Sequence, residues 1–524
     1  MAFFLTKSIN IPLGQSVNDV RQRLLKLLRL KDSQLESFCL HRQSIDARNK
    51  GDVHFVCSYV VETCAVPVNA TPYEAPQDVL LAATKTDTKL NCIVVGSGPA
   101  GLFAALYLVK SGCAVTIVER GSDVVNRQAK VNEFFNGGEL DEQTNVQFGL
   151  GGAGTFSDGK LTTGISSPLT YTVFQQLVRS GAPQDILTSA MPHVGTDKLV
   201  KVVANLRDEI VSYGGKFLFD TTVTDFIVQD NTVKGVVIGG KEKLYADCVL
   251  LACGNGARDI YACLDRYNAL TFKPFAVGLR VEHTRQFINT AQYGMFATHR
   301  DIPAASYKLV MNGDKHSCYS FCMCPGGVVV AASSERDTVV VNGMSNYLRD
   351  AVNSNSALVV TVTAEDIARY GYGTDALAGM RFQQDLERRA YALAGGNYLA
   401  PCQGVKEFII GKVSPQFDVT PSYPRGVSSV NLRNLLPKDI GDTIAEALVY
   451  FDRKISGFGS SGVLTGVETR TSSPVRITRD ETYQSKLLNL YPIGEGAGYA
   501  GGIISSAVDG LRVATVVKNV AIQR

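Results

Sequence analysis

The chain has little net charge and no long apolar run, and both absences narrow the classes of protein to which it can belong. Its 524 residues carry a formal charge of +3, so it lacks the broad basic surface on which nonspecific nucleic-acid binding depends. No segment offers about 18 consecutive apolar residues, the minimum for a membrane-spanning helix. The first residues also lack the pattern of a secretory signal. We therefore expect a cytoplasmic protein without a membrane span, although a local basic patch stays open.

Repeats, low-complexity tracts and paired CxxC motifs are missing as well. No period of about 20 to 50 residues stands out, which excludes the common repeat architectures. The 12 cysteines are scattered along the chain, as is typical of buried thiols in a reducing compartment. They form no two spaced pairs of the kind that bind zinc, so no metal site is expected.

The length exceeds that of one compact domain, about 100 to 200 residues, so we expect several domains. Residues 1–63 predict a small ferredoxin-like α+β module. A strand-like start, a helix capped by Ser16 and two strand-like runs give the order β-α-β-β. Residues 64–90 contain three prolines and little periodicity, which is typical of a linker.

The next segment has the pattern of a dinucleotide-binding unit. A short apolar strand, NCIVV, leads into GSGPAG at residues 96–101, a helical run follows, and a second strand ends at Glu119. Gly96 permits a tight turn, Gly98 lets the backbone approach a pyrophosphate, and Gly101 allows close packing of helix on strand. The helix N-terminus would then bind the pyrophosphate. Glu119 is placed to accept hydrogen bonds from an adenosine ribose.

This fingerprint alone does not distinguish NAD from FAD. Glu119 argues against a 2′-phosphate, because carboxylate and phosphate would repel each other. Three further glycine-rich stretches bear on the choice: QFGLGGAGTFSDGKL at 147–161, ADCVLLACGNGARD at 246–259 and YPIGEGAGYAGGIISSAVDGLRVA at 491–514. In the second of these, glycines follow an apolar strand and let backbone pass close to a bound ligand.

Together these stretches resemble the flavoproteins of the glutathione-reductase-like group, in which one FAD-binding domain is assembled from the start, the middle and the end of its region. More closely, the chain resembles the bacterial family of uncharacterised FAD-dependent dehydrogenases, or NAD(FAD)-utilizing dehydrogenases. The resemblance covers the chain from about residue 40 onwards. It is carried by SIDAR, NVQFGLGGAGTFSDGKL, PHVGTD, FAVGLRVEH, YSFCMCPGGVVVAASSE, VETRTSSPVRI and GEGAGYAGGIISSAVDG.

The resemblance implies noncovalently bound FAD, with its pyrophosphate on residues 96–101 and its ribose on Glu119. The loop 151–155 would lie near the flavin, and Glu495 with its neighbouring glycines would hold the ribityl and second phosphate side. Gly502 and Ile503 would place a helix N-terminus near the pyrimidine edge. Leu150 departs from the pattern, which has an acid there. The expected cofactor-binding residues are Gly96, Gly98, Pro99, Ala100, Gly101, Glu119, Arg120, Gly151, Gly152, Ala153, Gly154, Thr155, Val223, Gly254, Gly494, Glu495, Gly496, Gly502 and Ile503.

Residues 271–469 contain no second strand-linked nucleotide fingerprint, and this absence gives them a different expected role. Alternating apolar runs such as VVVAASSERDTVVV predict mostly β structure, so we interpret the segment as a β-rich substrate or cap domain. It would separate the two parts, 91–270 and 470–524, of a discontinuous Rossmann-like FAD-binding domain in an α/β and α+β multidomain chain. A nicotinamide donor, NADH or NADPH, would have to dock without a Rossmann module of its own.

No residue stands out as catalytic, and the candidates are weak. His193 and His283 could donate protons to a substrate. Lys160 lies in the loop expected near the flavin, and Cys322 with Cys324 could form a redox thiol pair. A structural role is the competing interpretation for each of the five.

The remaining polar candidates and the function stay open in part. Asp158 shares the loop of Lys160, and Arg280 with Arg470 could bind a carboxylate substrate or form interdomain ion pairs. The sequence predicts an FAD-dependent oxidoreductase that transfers a hydride between bound FAD and an unidentified small organic substrate. The alternative is a flavoprotein that binds or modifies RNA through its N-terminal module, whose helix is basic but lacks an aromatic RNP-like run. A nucleotide-binding scaffold without turnover is the third interpretation, and the oligomeric state is not predicted.

Overall fold

Strands and helices alternate along most of the computed structural model, which describes residues 1–85 and 90–522. The strands are β1 Ala2–Thr6, β2 Ile9–Pro12, β3 Leu35–Asp46, β4 His54–Thr63, β5 Ala70–Pro72, β6 Asn91–Val95, β7 Ala114–Val118, β8 Lys216–Leu218, β9 Val223–Gln229, β10 Thr232–Ile238, β11 Glu242–Tyr245, β12 Cys248–Leu251, β13 Leu270–Phe272, β14 Phe275–Thr284, β15 Val310–Met311, β16 Cys318–Cys324, β17 Val328–Ala331, β18 Val341–Met344, β19 Asn353–Val362, β20 Ala400–Gly404, β21 Val427–Ser429, β22 Val463–Glu468, β23 Val475–Ile477 and β24 Leu490–Pro492. The helices are α1 Val17–Leu28, α2 Pro99–Lys110, α3 Val124–Phe135, α4 Leu169–Arg179, α5 Thr196–Ser212, α6 Arg258–Asp265, α7 Arg285–Tyr293, α8 Ala364–Arg369, α9 Ala378–Leu393, α10 Val405–Ile410, α11 Lys438–Asp452 and α12 Ile503–Ile522.

The N-terminal unit has the predicted order, with its first strand broken into β1 and β2. Both pair with successive halves of β4, and β3 pairs along the other side of β4. Ser16 caps α1 in a capping box with Asp19, and the apolar face of α1 packs on the sheet. The predicted linker is wrong in one respect, because β5 extends the sheet along β1. Its proline stands at the edge of the sheet, where a missing N–H is tolerated.

The dinucleotide-binding unit is a five-stranded parallel sheet with the order β24-β12-β6-β7-β8. Alternate side chains of β6 face opposite layers, so Cys92 and Val94 join the core under α2, α5 and α12 while Ile93 and Val95 face the layer of β9–β11 and α6. Strand β24 and helix α12 come from the end of the chain and lie beside β12 and α2. The predicted discontinuous Rossmann-like fold is therefore confirmed.

The middle segment forms a seven-stranded sheet with the order β15-β16-β19-β14-β22-β20-β21. Apolar side chains of β14 share one core with α9 and α11, two long helices that an expectation of mostly β structure does not include. The antiparallel pair of β13 and β23 lies close to both predicted limits of this segment. The domain limits themselves stay a prediction.

The cysteines form no disulfide in the described ranges: Cys39 and Cys64 are exposed, Cys253 and Cys322 are half-buried, and the others are buried. Within the same ranges, none of the helices combines the length and the apolar character that crossing a bilayer requires.

Candidate functional site

A cleft of about 400 Å³ opens at the carboxyl ends of the parallel strands, where doubly wound folds bind their ligands. The turn after β6, the loop 152–160, the turn after β12 and the approach to α12 form one side. The middle sheet forms the facing wall with Phe321, Cys322, Asn342, Glu468 and Arg470. The cleft therefore lies between the dinucleotide-binding unit and the predicted substrate domain.

The three fingerprint glycines have different roles in this geometry. Gly96 has a φ of +98°, and a Cβ there would overlap the carbonyl oxygen of Ala252. A Cβ at Gly101 would overlap the carbonyl oxygen of Gly96. At Gly98, by contrast, an added Cβ would meet nothing closer than 4.0 Å. The outer glycines are thus needed for the fold, and the central one keeps the cleft open.

The cleft suits a dinucleotide phosphate because two helices begin at its border. Helix α2 starts after Gly98 without a side-chain cap, and Gly501, Gly502 and Ile503 bring the start of α12 to the opposite border. Unpaired N–H groups and the positive end of the helix dipole favour an anion at such positions. A Cβ at Gly254 would also meet no protein atom within 4 Å, so this residue too leaves room for a ligand.

Most of the expected cofactor-binding residues line this cleft, and five do not. Those at its surface are Gly96, Gly98, Pro99, Ala100, Glu119, Arg120, Gly152, Ala153, Gly154, Val223, Gly254, Glu495, Gly502 and Ile503. Behind it lie Gly101, Gly151, Thr155, Gly494 and Gly496. These five shape the turns, because Gly496 abuts the backbone of Gly254 and Gly494 donates its N–H to Asp509.

Glu119 holds the loops of the site together. Its Oε2 accepts hydrogen bonds from the backbone N–H of Ser97 at 2.8 Å and the Ser97 hydroxyl at 2.7 Å. Its Oε1 accepts from the N–H groups of Gly121 at 3.0 Å and Gly149 at 2.9 Å. A carboxylate has about four acceptor positions, so a ribose hydroxyl would have to displace one of these donors. Sequence reasoning missed this internal role.

The catalytic candidates separate into two groups. Lys160 and Cys322 line the cleft, with Cys324 buried behind Cys322. The His193 Nε2 lies 2.9 Å from the carbonyl oxygen of Tyr347, and His193 does not line the cleft. His283 is packed between two phenylalanines, and burial lowers the pKa of His283 to about 4. The geometry favours the structural interpretation for both histidines.

The predicted carboxylate-binding arginine pair is wrong for Arg280. This side chain is fully buried, and its five N–H donors bond to Glu468, Asn355, Asn342 and the carbonyl oxygen of Cys322. Arg470 borders the cleft but makes a two-pronged ion pair with Glu387. Sequence reasoning also missed Glu468, although the motif VETRTSS contains it.

Glu495 stands between the start of α12 and the middle sheet. Asn255 Nδ2 donates to its Oε1 at 2.9 Å. Burial raises the pKa of Glu495 to about 7, although Lys273 opposes the shift. This carboxyl therefore exchanges a proton near neutral pH beside the cleft.

We expect Glu495→Gln to remove a pH dependence from the stability of the FAD-free protein. The carboxyl ionises at about pH 4.3 in an unfolded chain and at about 7 in the fold, so the folded state binds more protons between these values. Its contribution to stability is therefore fully present below about pH 4.3 and is lost as the pH rises to about 7. Thermal unfolding should show the variant gaining on the wild type up to pH 7, whereas Glu481→Gln, at an exposed position, should leave the slope unchanged. A wild-type slope in Glu495→Gln would contradict the assignment.

One group of side chains in the described residues has ligand atoms close enough for a metal ion: His316, Asp366 and Asp439. Arg369 forms ion pairs with both of these acids. The guanidinium already neutralises the carboxylates, so the group is accounted for as an ion-pair cluster.

The fold and the cleft define a two-part flavoprotein, and comparisons with known proteins agree. Residues 90–262 match the family model described as pyridine nucleotide-disulphide oxidoreductase, and residues 274–471 match that of the FAD-dependent protein, C-terminal domain-like. The protein is therefore an FAD-dependent oxidoreductase. Residues 6–62 match a domain of unknown function.

A full-length relative is known from Clostridium beijerinckii. It is described as an uncharacterized protein and is 41% identical over 521 residues, which cover 97% of each chain. The chain belongs to the same family of FAD-dependent proteins as this relative.

Other similarities are local or weak. A stretch of 55 residues is 42% identical to part of the ferredoxin:CoB-CoM heterodisulfide reductase of Methanosarcina mazei, over 10% of this chain and 7% of that protein. The structure of flavin-dependent brominase Bmp2 aligns with 83% of this chain and 80% of that chain, at 12% identity and a TM-score of 0.37. That of CtdE in complex with FAD aligns with 82% and 86%, at 13% identity and a TM-score of 0.33. Likeness at this level is too low to assign a substrate or a reaction.

Proposed function

We propose that the protein binds FAD noncovalently in the cleft and transfers a hydride between the bound FAD and a small organic substrate. The observation that carries this proposal is the convergence of distant segments on one cleft: the fingerprint turn, the loop 152–160 and residues 501–503 form one side, and the middle sheet forms the other. A cofactor on the first side would face a substrate on the second.

The protein's own groups would bind and orient both molecules. The starts of α2 and α12 would hold the phosphates and the pyrimidine edge of the flavin through N–H groups and dipoles. When bound, FAD supplies the two-electron chemistry. Asn342 and Arg470 offer polar groups to a substrate on the facing wall, and Glu495 is a proton carrier beside the cleft. NADH or NADPH would deliver electrons through the open side, since the middle segment has no second nucleotide fingerprint.

Cofactor release tests the first half of this proposal. The purified protein should be yellow, and heat or acid should release FAD into the supernatant. A colourless protein that FAD does not reconstitute would overturn the proposal, and flavin that stays on the denatured chain would overturn noncovalent binding.

Anaerobic spectroscopy tests the second half. Bleaching of the flavin absorbance by NADH or NADPH, followed by recovery with one member of a panel of small organic acceptors, is the expected result. A flavin that chemical reductants bleach, but that no nicotinamide or organic substrate affects, would contradict hydride transfer.

The alternative of RNA binding gains no support from the comparisons. In the basic helix α1, Arg21 bonds to the carboxylate of Asp32 and to the carbonyl oxygen of Leu35. Part of the charge that suggested RNA is therefore used within the N-terminal unit.

A further inference from the structure

A strained cysteine faces the cleft from the middle sheet. Cys322 lies at a bulge of β16, where the pairing with β19 changes register between Phe321 and Cys324, and its φ is +43°. A left-handed backbone at a residue other than glycine costs about 1–3 kcal/mol, and such strain clusters at functional sites. Bulges beside active sites re-aim a side chain. Here the bulge brings Cys322 to the surface of the cleft.

Lys160 brings a positive charge to the same part of the cleft. Its Nζ is buried and makes no hydrogen bond within the described part of the chain. The Asp158 carboxylate lies 3.6 Å away, but it already accepts hydrogen bonds from Arg349 and from the Ser345 hydroxyl. Because a buried ammonium needs an anion nearby, Lys160 is free to serve a second anion.

The thiols of Cys322 and Cys324 are suited to be that partner. Burial alone would lower the pKa of Lys160, but its interactions with Cys324, Cys322 and Asp158 raise it. A hydrogen bond with the Cys324 thiol, aided by the charges of Lys160 and Arg280, lowers the pKa of Cys322 to about 5 despite burial. The charged and titratable groups around Cys322 are Lys160, Asp158, Arg280, Cys324, Glu468 and Glu495.

We propose that Cys322 is a catalytic thiolate, paired with the Lys160 ammonium, that attacks small disulfide substrates in the cleft. This proposal rests on the proposed function and names its substrate class. The Cys322 sulfur bonds to one sulfur of the substrate as the substrate's S–S bond breaks. The leaving thiolate takes a proton from Lys160, which regains one from solvent. This exchange is balanced in electrons, and the two electrons and one proton that later reduce the mixed disulfide are those that reduced FAD carries.

Alkylation of the purified protein tests the ion pair without flavin turnover. Iodoacetamide is applied between about pH 4 and 9, and mass spectrometry follows each cysteine separately. At about pH 6 Cys322 should react about tenfold faster than the exposed Cys39 and Cys64, because its larger thiolate fraction outweighs the lower nucleophilicity of a low-pKa thiol. A Cys322 profile equal to those of Cys39 and Cys64, or no reaction at Cys322, would overturn the proposal.

Two lysine variants separate charge from shape. Lys160→Gln should move the midpoint of the Cys322 profile to higher pH, and Lys160→Arg, which keeps the charge, should restore it. Circular dichroism checks that both variants fold, and the wild-type profile needs no variant. An unchanged midpoint in a folded Lys160→Gln protein would show that Lys160 does not hold the thiolate.

Oxidised glutathione is the probe for the substrate class. The wild type should gain one glutathionyl group at Cys322, and Cys322→Ser should not gain it there. If Cys322 stays unmodified in a protein that holds reducible FAD, the thiolate proposal fails alone. If the protein binds no FAD but Cys322 forms the mixed disulfide, the proposed function fails and the thiolate chemistry stands.

Discussion

Replacing Gly98 by alanine should weaken FAD binding by about tenfold or more, equivalent to about 1.4 kcal/mol, while leaving the FAD-free protein nearly as stable as the wild type. Gly98 has a φ of −71° and a ψ of −179°, an extended conformation that alanine adopts without strain. Its Cβ would meet no protein atom closer than 4.0 Å but would point into the cleft where a pyrophosphate approaches the backbone. The loss at this helix N-cap should stay below about 1 kcal/mol.

Gly101→Ala is the matched control in the same turn. Its Cβ would overlap the carbonyl oxygen of Gly96, so this variant should lower the melting temperature even without FAD. Titration of each FAD-free protein with FAD, followed by flavin fluorescence, measures affinity, and thermal unfolding measures stability. Wild-type affinity in Gly98→Ala would show that the pyrophosphate does not lie on this turn.

Glu387→Gln should cost about 3–5 kcal/mol of the free energy of unfolding, the range for breaking a buried ion pair. The Glu387 carboxylate is fully buried on α9. It accepts two hydrogen bonds from Arg258 on α6, two from Arg470 and one from Thr469. An amide of the same size would leave both guanidiniums with only Glu335 for charge compensation. Because α6 and α9 pack against different sheets, the variant should also loosen the cleft wall that carries Arg470.

The pH dependence of this effect has a fixed sign. The two arginines hold the pKa of Glu387 well below its usual range despite burial, so its stabilisation is present above the unfolded value of about 4.3. It is lost as the pH falls through the folded-state pKa. Urea unfolding should therefore show a constant deficit at neutral pH that shrinks only in acid.

Asp375→Asn is the matched control for Glu387→Gln. Asp375 also pairs with an arginine of α9, Arg381, but both side chains are about half exposed. An exposed pair contributes about 0–1 kcal/mol, so this variant should unfold nearly as the wild type does. Equal, small losses in the two variants would contradict the role assigned to the buried network.

The sequence predicted those parts of the fold that depend on near neighbours. The turn at residues 96–101, the capped helix α1 and the alternation in β6 each follow from side chains a few positions apart, whose steric and hydrogen-bonding needs are local. Strand β24 could be assigned only through its resemblance to known flavoproteins. Helix α9 was missed because its segment was judged by the strand-like runs around it.

The candidate site was predicted less completely, for the same reason. The residues that line the cleft were largely identified, but the four donors on Glu119 belong to three separate turns. The five donors of Arg280 reach residues of four strands. Such sets depend on which strands become neighbours in a sheet, and residue spacing does not reveal that.

By itself the sequence determined that a dinucleotide-binding turn leads into a helix, that its central glycine can approach a phosphate, and that the end of the chain returns to the same unit. Only the tertiary structure decided that His283 is buried away from the cleft, that Arg280 is fully engaged with protein groups, and that Lys160 meets Cys322. The physical reason is range: turns and caps are fixed by contacts within a few residues, whereas the pairing of a buried cation with a thiol requires two distant segments to pack together and exclude water.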